Sequence, residues 1–256
     1  MKYKHVIVEK AEGVCTLVFN RPDKYNAINW EMEGEVFKAL QEIADDKEVR
    51  VLVITGAGSA FCTGADMEGM LQASIDSGGL TGEEIYEMPF PDMVPTIAAV
   101  NGFAIGAGLT MILSCDIRIA AEEARFSLPF VPIGAIPEAG SMYFLPKLVG
   151  ISRAMELALT GRTFSAKEAK EYGIVADVVP GAQLKDTVYK LAKKIAAAPP
   201  LSVMAAKKGF YECLSGSIKD AIKYEKETLK WLLKTEDHQE AVKAYMEKRK
   251  PVFKGK

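Results

Sequence analysis

Glu138 stands in Ile133-Gly-Ala-Ile-Pro-Glu-Ala-Gly-Ser141, a carboxylate among small and apolar residues, where the pattern turns into a helix over 142–148. A carboxylate so placed loses part of its hydration. Desolvation raises its pKa toward the value that a proton-transfer group needs near neutral pH. The same residue also suits a plainer role, because a negative charge at a helix N-terminus complements the helix dipole. Two glycine-rich segments lie upstream, Phe61-Cys-Thr-Gly-Ala-Asp66 and Asn101-Gly-Phe-Ala-Ile-Gly-Ala-Gly108. Glycine-rich turns serve in tight packing, and they also present backbone N–H groups that can hold an oxyanion. One carboxylate and two donor loops point to removal of a proton next to a carbonyl.

Other catalytic chemistry is poorly supplied. His5 and His238 are the only histidines and lie near opposite ends of the chain, and the four cysteines (15, 62, 115, 213) form no CxxC pair. A zinc set or a Ser-His-Asp triad therefore finds little support, and no metal is expected. The cysteines read as reduced thiols. Cys62, beside the first glycine loop, has no histidine partner in sequence and reads as a small packing residue. Asp66 reads as a helix cap rather than a catalytic acid, and Asp116 as a structural turn or strand residue.

The chain has 256 residues, 49% hydrophobic and 26% charged, with 32 Lys+Arg against 34 Asp+Glu. That balance argues against nucleic acid or an anionic membrane as partner. The basic run Lys248-Arg-Lys250 with Lys254 and Lys256 reads as a solvated tail or a contact for phosphates. No apolar run approaches the ~20 residues of a membrane helix. The opening residues lack a signal-peptide core, so a cytoplasmic protein is expected.

The elements that must position Glu138 and the glycine loops alternate. Residues 5–8 and 14–19 read as a hairpin. Apolar spacing predicts a helix over 30–43 with Asn29 as cap. The runs 51–54 and 97–100 are continuous and apolar, as in strands buried on both faces. Short helices are expected over 66–73 and 106–113, and a strand over 116–120. Residues 74–92 read as a mobile loop with a helical turn that covers the site. From 152 the chain reads as helical, interrupted by a strand over 174–179. Pro199-Pro200 divides the chain into a body, 1–199, and a helical region, 200–256. Trp30 and Trp231 read as core or interface anchors. The overall expectation is an α/β body with a helical C-terminal part.

These residues resemble the crotonase superfamily, the enoyl-CoA hydratases and isomerases, along essentially the whole chain. Asn20-Arg-Pro-Asp-Lys-Tyr-Asn-Ala-Ile-Asn29 looks like its first motif, Ser59-Ala-Phe-Cys-Thr-Gly-Ala-Asp66 its second, and Ala99-Val-Asn-Gly-Phe-Ala-Ile-Gly-Ala-Gly108 its third. Cys115-Asp-Ile-Arg, Thr160-Gly-Arg-Thr-Phe-Ser and Gly173-Ile-Val-Ala-Asp follow in order. The resemblance implies a spiral of ββα turns with a helical C-terminal region that drives trimerisation, either a homotrimer or a dimer of trimers. It implies an acyl-CoA thioester as ligand, with coenzyme A arriving as part of the substrate and no separate cofactor. The oxyanion hole would use the N–H groups of Ala65 and Ala107; alanine at the second place is a mild departure from the usual glycine. Lys24 would lie near the CoA phosphates and the adenine against Ala65-Asp66-Met67. Ala27, Thr63, Gly64 and Gly106 would line the ligand, and Tyr245 and Lys248 would arrive from a neighbouring copy.

The departures narrow the chemistry. Hydratases of this kind use two glutamates to activate water. Their places are taken here by Thr110 and Phe130, neither of which can act as a base. Glu138 instead falls where monofunctional Δ3,Δ2-enoyl-CoA isomerases carry Pro-Glu followed by small residues. The expected activity is isomerisation, with hydration weak or absent. Another thioester reaction on the same fold, hydrolysis or ring chemistry, is the first alternative, and a non-catalytic acyl-CoA binder the second. The apolar positions Val203, Met204, Phe210, Leu214, Ile218, Ile222, Leu229, Trp231, Leu232 and Leu233 exceed what one α/β body can bury, which suggests an interface.

Overall fold

The structure is a computed structural model and describes residues 3–76 and 90–256. β1 (Val6–Ala11) and β2 (Val14–Phe19) form the expected antiparallel hairpin, with Val6 opposite Phe19. Its two-residue turn, Glu12-Gly13, has positive φ at both positions, 52° and 77°, as the twist of a tight hairpin requires. α1 (Trp30–Asp45) begins where Asn29 accepts a hydrogen bond from the Met32 amide at 2.9 Å. Its buried stripe is Met32, Val36, Ala39, Leu40 and Ile43.

β2 pairs in parallel with β3 (Val51–Gly56), which continues to β5 (Thr96–Val100), β7 (Ile117–Ala121) and β10 (Asp177–Val179). The strand β3 shows why its run is uniformly apolar. Leu52 and Ile54 join the core that contains the α1 stripe, while Val51 and Val53 face the opposite core, closed by Leu184, Val188, Ala192 and Ala196 of α7 (Gly181–Ala196). With a core on each face, no position of the run 51–54 is left for water.

A second, smaller sheet holds β4 (Ala60–Cys62), β6 (Phe103–Ile105), β8 (Arg125–Ser127) and, antiparallel to β8, β9 (Phe164–Ser165). The chain therefore gives one strand to the large sheet, one short strand to the small sheet and then a helix, repeatedly. After β4 come a five-residue π-helical turn, Met67–Leu71, and α2 (Gln72–Asp76); after β6 comes α3 (Ala107–Leu113). After β8 come a 3₁₀ turn, Val131–Ile133, and α4 (Ser141–Val149). This is the ββα spiral that the motifs implied. The helix expected over 66–73 is thus a π turn leading into α2. The expected covering loop lies in large part, 77–89, outside the described residues.

α5 (Ile151–Thr160) follows α4 across Gly150, and α6 (Ala166–Glu171) opens with a capping box between Ser165 and Glu168. The chain ends in α8 (Pro200–Cys213), α9 (Ile218–Leu232) and α10 (Glu236–Met246). α8 begins at the proline pair and is bolted to the body by Asp116. One oxygen of Asp116 takes Lys207 Nζ at 2.8 Å and the Thr96 amide at 2.6 Å; the other takes the Tyr211 hydroxyl at 2.9 Å. Lys207 is 8% exposed, and burial lowers its pKa from the usual lysine value. The tail returns over the body, where Arg50 donates to the Phe253 carbonyl at 2.9 Å and Asp237 takes the amides of Lys254 and Gly255.

Removing one member of a buried ion pair strands the other charge and costs ~3–5 kcal/mol. Asp116→Ala is expected to lower the unfolding free energy by that order in a urea titration. A change within a few tenths of a kcal/mol would show that the Phe90 and Val94 carbonyls, to which Lys207 Nζ also donates, suffice to hold its charge.

Candidate active site

The site begins with two parallel neighbours in the small sheet. Ala60 pairs with Phe103 and Cys62 with Ala104, so the loops that leave β4 and β6 emerge side by side. They touch: a Cβ placed on Gly64 would stand 3.3 Å from the Ala107 nitrogen and 3.6 Å from Gly106 Cα. Ala65 is held by a single bridge to Ile28, in which the Ile28 amide donates to the Gly64 carbonyl and the Asp66 amide to the Ile28 carbonyl, each at 2.7 Å. In a parallel bridge those bonds belong to the residues on either side of Ala65. Its own N–H is turned away and has no acceptor among the described residues.

Ala107 opens α3, so its N–H is one of the helix donors without an internal partner. The residue before it, Gly106, has φ 54° and ψ −123°, a conformation open in practice only to glycine. One residue on, a Cβ on Gly108 would fall 2.1 Å from the Cys62 carbonyl oxygen. The start of α3 therefore lies flush on β4, an approach no side chain permits. Its far end is gripped by Arg118, 9% exposed, whose guanidinium donates to the carbonyls of Ile112, Leu113, Cys115 and Ile174. Two free N–H groups from touching loops can receive one oxygen atom as it gains negative charge.

Glu138 sits between the 3₁₀ turn and α4, and α4 packs against α3. Its carbonyl accepts the Ser141 amide at 2.9 Å, around a turn in which Ala139 and Gly140 both have positive φ. The carboxylate is half-buried and has neither an ion-pair nor a hydrogen-bond partner among the described residues. Burial pushes its pKa up to about 7, and the negative charge of Glu33 adds to the rise. A carboxylate serving a helix dipole would be held low, so the plainer role suggested by the sequence is not the one this environment supports.

Glu33 is absent from the site as read from sequence. It lies in the first turns of α1, half-buried, and burial pushes its carboxyl to about 7 as well. The available signal was its spacing with Trp30 and Phe37, which places the three on one half-buried side of α1.

Thr110 and Phe130, which the sequence resemblance set at the places of the hydratase glutamates, offer no base. Thr110 is fully buried on α3, and its hydroxyl donates to the Ala107 carbonyl at 3.3 Å. Phe130 is 8% exposed, with its ring edge 3.9 Å from where a Gly106 Cβ would stand. Cys62 is buried, and its thiol is pushed up to about 12, which leaves no thiolate for nucleophilic attack. Among the described residues no group of three His, Cys, Asp or Glu side chains is placed to hold a metal ion.

Around the mouth, Asp66 caps the turn that follows it through the Glu68 and Gly69 amides and pairs with Arg21 at 3.0 Å. The Gly69 bond first, and then Arg21, hold its carboxyl below the usual value. Asn26, fully buried at φ 57°, ties the first motif to the carbonyls of Ala57 and Ala60; this structural role escaped the sequence reading. Ala27 offers its carbonyl to Arg21, and the Thr63 hydroxyl donates to the Tyr25 carbonyl at 3.2 Å. Lys24 and Met67 are exposed. Tyr245 is 86% exposed, and Lys248 is exposed just beyond α10. Among the described residues no polar contact brings Tyr245 or Lys248 to the two loops.

Comparison with known proteins agrees with this architecture. The family model described as Enoyl-CoA hydratase/isomerase matches residues 9–256. The chain is 35% identical over 259 residues to the 1,2-epoxyphenylacetyl-CoA isomerase of Escherichia coli (strain K12), covering 97% of each protein. It is 36% identical over 254 residues to the short-chain-enoyl-CoA hydratase of Clostridium acetobutylicum, covering 98% of this chain and 97% of that one. The crystal structure of an enoyl-CoA hydratase from Bacillus anthracis superposes with a TM-score of 0.89 at 34% identity, covering 99% of this chain and 100% of that one. With its motifs in order, its ββα spiral and a match that runs almost from end to end, this chain belongs to the enoyl-CoA hydratase/isomerase family, the crotonase superfamily.

Proposed function

We propose that the chain isomerises a 3-enoyl-CoA to the trans-2-enoyl-CoA. The observation that carries this reading is the unpartnered, half-buried Glu138, with a carboxyl at about 7; Thr110 and Phe130, which by resemblance take the places of the hydratase glutamates, supply no second base. The Glu138 carboxylate removes a proton from C2. The electron pair moves into the thioester, and the oxygen of the resulting dienolate is held by the Ala65 and Ala107 N–H groups. Protonated Glu138 then returns the proton to C4, and the double bond has moved from C3–C4 to C2–C3. One base suffices because C2 and C4 present the same face to it in a bent chain. A positioned general base contributes ~10²–10⁴-fold, and an oxyanion donor typically ~3–4 kcal/mol. Coenzyme A enters with the substrate, and no step calls for a separate cofactor or a metal.

In this reading, Lys24 serves the CoA phosphates, and Ala27, Thr63, Gly64, Asp66, Met67 and Gly106 form the rim around the thioester. Tyr245 and Lys248 act on the CoA of a neighbouring copy. The same base and oxyanion hole also suit a ring-bearing acyl-CoA. That second reading is favoured by the similarity to a protein named 1,2-epoxyphenylacetyl-CoA isomerase.

Glu138→Gln keeps the shape and removes the base. Isomerisation of 3-hexenoyl-CoA is expected to fall at least 100-fold while acyl-CoA binding persists; retention of more than half the rate would end the assignment. The stability sign follows from the raised pKa. The native state holds the Glu138 proton more tightly than the unfolded chain, so wild-type stability falls as pH rises from about 4.5 through about 7. The Gln variant should therefore melt higher than wild type at pH 8 and match it below pH 4.5.

Crotonyl-CoA hydration should be very slow. Efficient formation of 3-hydroxybutyryl-CoA by the pure protein would replace the isomerase reading with a hydratase that activates water by another residue.

α8 and α9 leave Phe210 at 77%, Ile218 at 78% and Trp231 at 49% exposure, a surface suited to a second copy. Light scattering should give three or six times the 27.9 kDa chain mass. A stable, fully active monomer at micromolar concentration would refute both the assembly and the shared CoA site.

A further inference from the structure

Three strands of the small sheet run parallel in the order β4, β6, β8, and each delivers a short segment at the same end of the sheet. β4 delivers Gly64-Ala65, β6 delivers Gly106-Ala107, and β8 delivers Pro129-Phe130. Backbone bonds fix the third segment beside the second. Ile105 pairs with Ser127, and the Gly106 amide donates to the Ser127 carbonyl at 3.0 Å. Phe130 stands three residues beyond Ser127, in helical backbone geometry with φ −71° and ψ −52°. Gly161 supports the segment. A Cβ on it would fall 2.9 Å from Pro132 Cγ and 3.0 Å from Pro129 Cα, and its carbonyl accepts the Ser127 hydroxyl at 2.7 Å. A loop seated this closely, with a proline on either side of Phe130, has little freedom to move its ring.

The ring points at the glycine loops. At Gly102 and Gly108 an added Cβ would run into a backbone oxygen at 1.9 and 2.1 Å, so glycine there permits close contact. Gly106 differs. Its Cβ would stand 3.9 Å from Phe130 Cζ and 3.9 Å from Gly64 Cα, with no other atom beyond its chain neighbours within 4 Å among the described residues. Glycine at 106 therefore answers to its positive φ and leaves a space bounded by Gly64 and the tip of the Phe130 ring. That space lies one residue before the Ala107 N–H. Phe130 is 8% exposed, so its ring forms an inner wall. A water held there would need two to four polar partners. The ring offers none, and the Thr110 hydroxyl is turned to the Ala107 carbonyl. The Phe130 carbonyl meanwhile accepts the Ile133 amide at 3.1 Å and the Ala135 amide at 2.9 Å. Those bonds tie down the turn from which the chain runs on to Glu138.

We propose that the Phe130 ring is the apolar wall of the thioester slot, packed on the acyl group beside the Gly64 and Gly106 loops, and that it keeps water from the dienolate so that the proton taken from C2 is the one delivered to C4. This rests on the reading of Glu138 as the base. The C2–H bond breaks, the proton passes to a Glu138 oxygen, and the electron pair enters the thioester. On return, the C4–H bond forms from the C3–C4 pair, the C2–C3 double bond forms, and the thioester carbonyl is restored. Water in the slot would compete at that moment, protonating the dienolate itself or exchanging with protonated Glu138. Keeping water out also prevents leakage of the proton to solvent. Cutting the ring back to a methyl group opens room for water, one molecule of which takes about 30 Å³ of liquid.

The test is isomerisation of 3-hexenoyl-CoA in D₂O, stopped at low conversion, with deuterium at C4 of the product and at C2 of recovered substrate read by NMR and mass spectrometry. Wild type should deliver mostly protium to C4. Phe130→Ala should raise the deuterium at C4 several-fold and place deuterium at C2 of recovered substrate. Phe130→Leu, which restores apolar bulk, should stay near wild type. If Phe130→Ala does not fold, Phe130→Val takes its place, with a smaller rise expected. A slower variant whose deuterium content matches wild type overturns the proposal and leaves Phe130 a packing residue. Wild type that delivers almost only deuterium to C4 overturns it without any variant. If Glu138→Gln keeps more than half the wild-type rate, the base assignment fails and this proposal falls with it. If Glu138→Gln is inactive and the label in Phe130→Ala is unchanged, this proposal alone fails.

Discussion

The flush contact between the start of α3 and strand β4 governs the rest of the site. The Gly108 backbone comes so close to the Cys62 carbonyl that a single methyl group would collide with it. That closeness brings the Ala107 amide against the Gly64–Ala65 loop. It depends on the two short strands running parallel, so that both chains leave the sheet at the same edge. Arg118 completes the arrangement from the other end. Its buried guanidinium satisfies the last carbonyls of α3, which would otherwise be stranded without water. A helix fixed at both ends presents its free N–H groups without rearrangement, as electrostatic stabilisation of a transient oxyanion requires.

Set against this rigid donor frame are groups that the fold leaves unsatisfied. The Glu138 and Glu33 carboxylates are half-buried without partners, and the Ser141 hydroxyl, three residues beyond Glu138, is buried with none. Elsewhere buried charge is paired at Asp116 and Asp237, while one Glu42 oxygen is buried without a partner. Asp116 has Lys207, Tyr211 and the Thr96 amide, and Asp237 has two backbone amides from the tail. An unpaired, partly dry carboxylate is a local departure from stability, the kind of departure that sites of proton chemistry carry.

Much of the large sheet could be read directly. The hairpin, the Asn29 cap, the α1 stripe and the doubly buried β3 and β5 each have a local cause: turn chemistry, a side-chain acceptor, or a period of two or 3.6. The small sheet could not be read that way. β4, β6 and β8 have three residues each, too few to show a period. They form because the large sheet places their flanking loops together. The five-residue π turn at Met67–Leu71 escaped for the same reason, since an apolar pattern does not distinguish one helical hydrogen-bond register from another over so short a stretch.

Sequence by itself named the candidate donors and the candidate acid. Glycines at 64, 106 and 108 and a glutamate among apolar residues at 138 are chemical statements that need no neighbours, and the ordered motifs carried the ββα spiral. Only the tertiary structure decided what surrounds the acid. Residues 33 and 138 are far apart along the chain, and the influence of the Glu33 charge on the Glu138 carboxyl, second to burial, exists only once the chain is folded. Desolvation is likewise a property of the assembled walls rather than of any one residue, so the rise of both carboxyls toward neutral pH belongs to the fold.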